Sequence, residues 1–202
     1  MPMKRTLAAL ALAFLLPVAA LAAPASTFSG SRSLLLASSS PGNAYVAGAT
    51  VAVTAPVAED LSALGGSVTL AAPVAGDALL MGGSVAERAP VRGDLRVFGG
   101  RVTVSEPAGG DMVALGLSVH DAAPSGGSTF LIAADASVTG GADGPVTIYG
   151  NTVSISGNFA GNVTVVASTR LSVASSTIIA GTLSYEAPEA ATIPNSAVIR
   201  GG

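Results

Sequence analysis

A seventeen-residue repeat constrains this chain more than any other feature. The segments APVAEDLSALGGSVTLA (55–71), APVAGDALLMGGSVAER (72–88), APVRGDLRVFGGRVTVS (89–105) and EPAGGDMVALGLSVHDA (106–122) align without gaps. Pro56, Pro73, Pro90, Pro107 and Pro124 share one phase. Asp60, Asp77, Asp94 and Asp111 share a second, and Gly65, Gly82, Gly99 and Gly116 a third. A unit this short cannot bury its own apolar side chains. It must stack on copies of itself, so the chain is expected to be a solenoid.

The phase extends beyond the four clear copies. Asn43 stands at the Asp phase of segment 38–54, and Gly48, Val51 and Val53 fall on the grid. Segments 123–139 and 140–156 keep it too, with Ser128 and Pro145 in place of Asp. Beyond Ile155 the spacing loosens. Leu171 and Val173 arrive one residue late, and Gly161, Gly181 and Gly201 are twenty apart. Small insertions of this kind belong at corners of a solenoid. Pairs such as Leu61/Ala63, Val68/Leu70, Leu95/Val97 and Val146/Ile148 alternate with period two, which reads as short strands. Pro-Val-x-Gly-Asp and Gly-Gly read as corners, with Gly supplying unusual backbone angles. The expected architecture is all-β: a three-sided parallel β-helix over residues 41–202. About nine coils would make a rod about 40 Å long.

Composition supports narrow coils. Half the residues are hydrophobic but only 4% are aromatic, and Trp and Cys are absent. β-branched and Gly-rich content suits stacked short strands better than a bulky globular core. With no Cys, stability must come from the repeat ladder, and lipoprotein anchoring is excluded. No run within the repeats is long and apolar enough for a membrane-spanning helix.

Residues 1–22 read as a signal peptide: Lys4 and Arg5, an apolar stretch from Thr6 to Val18, then Ala20-Leu21-Ala22 before the cleavage point. The protein is therefore expected to be exported, to the periplasm, cell envelope or beyond. An uncleaved leader would instead anchor it to the membrane. Residues 23–40 are Ser-rich and read as a linker, with a first cap around Leu34 to Leu36. The chain from residue 23 carries a net charge of −5, from seven Arg against twelve acidic residues. That balance argues against nucleic acid and against electrostatic attraction to an anionic membrane.

The stretch NTVSISGNFAGNVTVVASTRLSVASSTIIAGTLSYEAPEAATIPNSAVIRGG (151–202) resembles the bactofilin, or polymer-forming cytoskeletal, family in its V-x-I, Gly-corner, G-x-V-x-V and recurrent I-x-G pattern. The likeness is best over 140–202 and looser over 43–139. It implies a right-handed β-helix that polymerises end to end without nucleotide. Typical bactofilins are cytosolic, so the leader sets this chain apart. Some similar exported sequences carry transmembrane helices after the β-helix, and this chain stops in mid-pattern at Arg200-Gly201-Gly202, as a fragment of such a protein would.

Several residue groups invite a functional reading. Asp60, Asp77, Asp94 and Asp111, with Asn43 and Asn162, form a ladder that could present oxygens to Ca²⁺. The preferred reading is corner chemistry, because Asp and Asn bond nearby amides and Ser128 and Pro145 interrupt any ligand set. Leu64, Met81, Phe98, Leu115, Ile132, Tyr149 and Val166 form an apolar column before the corner Gly. Strict alternation would point them outward as a self-assembly stripe; a corner at that point would turn them inward, and this second reading is preferred. His120 and Asp121, with Ser118 or Ser125, have the residue types of a triad but read as a polar surface bulge. Glu87, Arg88 and Arg92 read as a solvated charged cluster, and the sequon Asn162-Val163-Thr164 as a corner. Glycine pairs without a P-loop Lys do not indicate nucleotide binding.

No catalytic, cofactor or metal residues are expected. The expected function is structural, a self-assembling polymer or scaffold whose partner is another copy of itself. The alternatives are an adhesin or stalk binding glycans or proteins, and, more weakly, a polysaccharide-active β-helix enzyme.

Overall fold

The computed structural model describes residues 24–201. The segment read as a signal peptide lies outside the described residues. Within them the chain is a β-solenoid of about ten turns, all-β and parallel, with coils about seventeen residues apart.

Two short strands open the stack, β1 (Thr27–Gly30) and β2 (Ser33–Leu36). Six ten-residue strands follow: β3 (Ala44–Val53), β4 (Leu61–Leu70), β5 (Ala78–Glu87), β6 (Leu95–Val104), β7 (Met112–Asp121) and β8 (Thr129–Val138). The remainder are β9 (Gly141–Ala142), β10 (Val146–Ile155), β11 (Asn158–Phe159), β12 (Val163–Val173), β13 (Ile178–Ile179), β14 (Leu183–Glu186) and β15 (Val198–Ile199). Both β1 and β2 pair in parallel with β3, so part of the segment read as a linker is the first coil of the stack. Leu34 and Leu36 are buried against that coil because they take the inward phase of Val51 and Val53.

Each long strand covers two sides of the coil. In β4 the residues Leu61, Ala63, Val68 and Leu70 are buried, and the bend falls between, at Gly65 to Ser67. The third side is a chain of isolated parallel bridges, Ser40–Val57–Val74–Val91–Ala108–Ser125–Ala142. It becomes a regular sheet of β9, β11, β13 and β15 in the later coils. Five inward columns therefore fill the rod. Their sizes compensate within a coil: Leu61 accompanies Ala63, Ala78 accompanies Leu80, and Met112 accompanies Ala114. Interleaved large and small residues let adjacent layers interdigitate at the density of protein interiors.

The loosened spacing has a local cause at each place. The register between β10 and β12 shifts between Gly150 and Thr152, so Thr152 pairs with Arg170 and the extra residue sits at the bend. Further residues are taken up by turns at Ser175-Ser176 and Asn195-Ser196, where the N–H of Thr177 bonds the carbonyl of Ala174 and that of Ala197 bonds Pro194.

The corner glycines act by a different physics from the one expected. Positive φ occurs only at Gly141 and Gly157 among the described residues. At Gly82 a Cβ would lie 2.8 Å from the Gly65 carbonyl oxygen and 3.3 Å from Val68 Cγ2. The column is small because successive coils approach closely at the bend, not because the backbone is left-handed. Ala133 and Ala167 occupy it where the stack leaves room for a methyl group.

Candidate functional site

The Asp ladder builds one edge of the rod. The backbone N–H of Asp77 donates to Asp60 Oδ1 at 2.9 Å, that of Asp94 to Asp77 Oδ1 at 2.9 Å, and that of Asp111 to Asp94 Oδ1 at 2.9 Å. Asn43 starts the series by accepting from Asp60, and Ser128 donates to Asp111 Oδ1 at 2.7 Å. Each carboxylate thus fastens its coil to the next. The same bond explains the Gly that precedes Asp77, Asp94 and Asp111: a Cβ on Gly76 would collide with Asp60 Oδ1, one on Gly93 with Asp77 Oδ1, and one on Gly110 with Asp94 Oδ1. Pro145 has no N–H to offer, so the absence of a carboxylate at Ser128 leaves nothing unpaired there. Asn162 resumes the ladder by accepting from Thr182 at 3.0 Å, which places the sequon at a corner. These oxygens bond backbone amides at the corner, as the preferred reading held, but the amides belong to the next coil and not to the same turn.

Beside that edge lies the outer face of the first side. Leu64, Met81, Phe98, Leu115, Ile132, Tyr149 and Val166 stack in register, each paired with the next. They point outward, and the expectation that they belong to the core is corrected. The reason is the position of the bend. The strand continues straight through Leu64, so alternation holds there, and the chain turns only at Gly65 to Ser67. Leu64 is 55% exposed and Tyr149 42%, while Phe98, Leu115 and Val166 are half-buried among their neighbours.

Sequence reasoning missed a second outward column two residues earlier: Tyr45, Ser62, Leu79, Arg96, Val113, Phe130 and Thr147. The period-two alternation that flagged the first column carried this one as well. Arg96 is its one charge, bonded to Asp94 at 2.9 Å and lying 3.6 Å from Asp77. At the start of the face Phe28 and Tyr45 stack with ring centroids 4.8 Å apart. With Ala63, Leu64 and Met81 they line an open groove of about 530 Å³.

Two carboxyl groups are buried in the core column of Val53, Leu70, Val104, Val138 and Ile155. Glu87 and Asp121 are each 0% exposed. This corrects the reading of Glu87 as part of a solvated cluster, and of Asp121 as part of a surface bulge; Arg88 and Arg92 remain exposed. Glu87 is long enough to reach the corner, where its carboxylate accepts N–H groups from Ala89, Ser105 and Glu106 at 2.9, 2.9 and 3.0 Å. Burial still raises its pKa above the usual carboxylate range. Asp121 is one methylene shorter. It takes only the Ala123 N–H, at 3.4 Å, and its Oδ2 has no partner. Burial and the Glu87 charge push its pKa up to about 7.

A triad is geometrically unavailable at this place. His120 and Asp121 are successive residues of β7, so His120 projects outward and Asp121 inward. Ser125 bonds Thr129 Oγ1 at 2.7 Å inside the coil. No group of three or more His, Cys, Asp or Glu is placed to hold a metal ion among the described residues.

No family model matches the chain, and neither the curated proteins nor the solved structures include a match.

Proposed function

We propose that this protein is a non-enzymatic structural component, exported and self-assembling into a polymer or scaffold at the cell envelope. The observation that carries this reading is the exposed apolar face running along an unbroken parallel stack. A contiguous apolar surface of that length on a soluble rod is costly unless something covers it. The end coil of any parallel stack also presents unpaired N–H and C=O groups that can template a further coil. The sequence likeness of residues 140–202 to bactofilins supports the same reading.

The test is negative-stain microscopy with light scattering over a wide range of protein and salt concentration. Assemblies that grow with concentration are expected. Monodisperse single rods throughout would sink the proposal.

One observation favours a second reading, a surface stalk that binds glycans or proteins. The Phe28–Tyr45 stack at the open groove offers aromatic faces of the kind on which sugar rings pack. Saturable glycan binding by a chain that does not assemble would favour this reading over the scaffold.

A further inference from the structure

We propose that the flat outer face carrying Leu64, Met81, Phe98, Leu115, Ile132 and Tyr149 is the contact between two copies of this chain, which lie face to face and parallel with the two-fold axis along the rod. The proposal rests on the self-assembly reading, and it adds a lateral partner and an orientation to it.

Area and shape come first. The face spans nine consecutive parallel strands, β1, β3 to β8, β10 and β12, with no inserted loop between them. At strand spacing it measures about 40 Å by 15 Å, or about 600 Å². Two copies face to face would cover about 1,200 Å², the lower bound of a specific stable interface. Flat sheets pack on one another through such faces at a separation of about 10 Å.

Charge then selects the partner. A membrane-binding face calls for Lys and Arg around its apolar surface. Here the only charge between Tyr45 and Val166 in the two outward columns is Arg96, already tied to Asp94 and Asp77. The face is bordered by Asp60, Asp77, Asp94 and Asp111, which would repel anionic lipid. A second copy brings an apolar face of the same composition.

The same border selects the orientation. If the rods ran antiparallel, the two-fold axis would set one Asp ladder against the other. If they run parallel, each Asp edge meets the opposite rim of its partner, at the bend between the first and second sides. That rim carries Ser67, Ser84, Arg101, Ser118, Asp135 and Thr152; Arg101 lies in the same coil as Asp94, and Asp135 in the coil where Ser128 takes the place of the ladder Asp. Like charges directly opposed disfavour the first arrangement, and the second places an Arg where an Asp approaches. A two-fold axis along the rod also leaves both ends of the pair free to stack further.

Sedimentation of the purified chain tests the pairing. Leu64→Lys and Ile132→Lys alter outward positions and leave the core intact, which far-UV circular dichroism would verify. Thr69→Lys, outward on the second side, is the control. The wild type and the control are expected to sediment as paired rods, and each face variant to weaken pairing by about tenfold or more. Face variants that pair like the wild type would overturn the proposal.

Orientation is read by spin labels on Ser67→Cys and Thr152→Cys, unique sites because the chain has no cysteine. These positions lie five coils apart, about 24 Å along the rod. Parallel pairing makes the distance between like labels on the two copies shorter than the mixed Ser67–Thr152 distance; the reverse order would overturn it. Rods that lengthen but stay one chain wide would refute the pairing and leave self-assembly standing. Pairs that never lengthen would refute end-to-end growth and leave the pairing standing.

Discussion

Asp77 illustrates how a single side chain joins coils that are seventeen residues apart. Its Oδ1 accepts the N–H of Asp94, and its own N–H donates to Asp60. Replacing it with Ala leaves a partly buried N–H of the next coil without a partner, which is expected to cost about 1–2 kcal/mol. Asp77→Asn keeps the oxygen acceptor and should lie close to the wild type. Chemical denaturation of both variants checks the assignment. A cation site would instead make the Asn variant as damaging as Ala and would make the wild type respond to Ca²⁺. The Asp phase was legible in the sequence, and so was its corner role. The reason for the preceding Gly was not, because the carboxylate that excludes a Cβ there comes from the coil before.

At the scale of one element, β7 carries the weakest point of the core. It places Asp121 in a column of Val, Leu and Ile, where only Ala123 contributes a hydrogen bond. The strands that pack against it offer no compensation: Arg96 and Arg101 on β6 and Asp135 on β8 are exposed outward, as are His120 on β7 itself and Glu106 at the corner. The group that bears on Asp121 electrostatically is Glu87, of the same sign. The folded pKa, about 7, lies above the ordinary aspartate value of 3.8, so the folded state holds the proton more tightly than the unfolded chain. Stability is therefore fully present below about pH 4 with respect to this group, and declines as pH rises until it levels off above about 7. The loss is on the order of a few kcal/mol. The raised pKa of Glu87 adds to the trend with the same sign. Thermal melts between pH 4 and pH 8 should show the decline, and Asp121→Val should flatten most of it and raise stability at pH 8. An unchanged slope in that variant would place the titration elsewhere. Sequence periodicity put Asp121 at an inward phase. Its polarity argued for a bulge, and pairing along β6, β7 and β8 without a register shift decides for burial.

Across the whole molecule, stability is a sum over coils and the contacts between neighbouring coils. Removing residues 55–71 takes out one full period and brings Asp77 into line above Asn43, whose Oδ1 can accept its N–H. Removing Ser62 alone moves Ala63 outward and Leu64 inward, and shifts the pairing of β4 with both neighbours. The seventeen-residue deletion is therefore expected to destabilise the rod less than the single-residue one. Thermal and denaturant unfolding of the two variants would show this, and a milder effect of the Ser62 deletion would contradict the register argument. The same additivity explains why the looser later coils persist. The extra residue near Thr152 and the turns at Ser175 and Asn195 disturb their own corner, while the strands on either side keep their pairing.

The sequence by itself determined the solenoid, its period, the parallel stacking and the inward phase of most apolar positions, because a short repeat has no other way to bury its side chains. It also located the Asp ladder and the column from Leu64 to Tyr149. Only the tertiary structure decided which way that column faces, that Glu87 and Asp121 sit inside, and that Thr27 to Gly30 belong to the stack. Each of these depends on where the chain bends relative to the pleat. A shift of the bend by one residue reverses inside and outside while leaving the repeat unchanged.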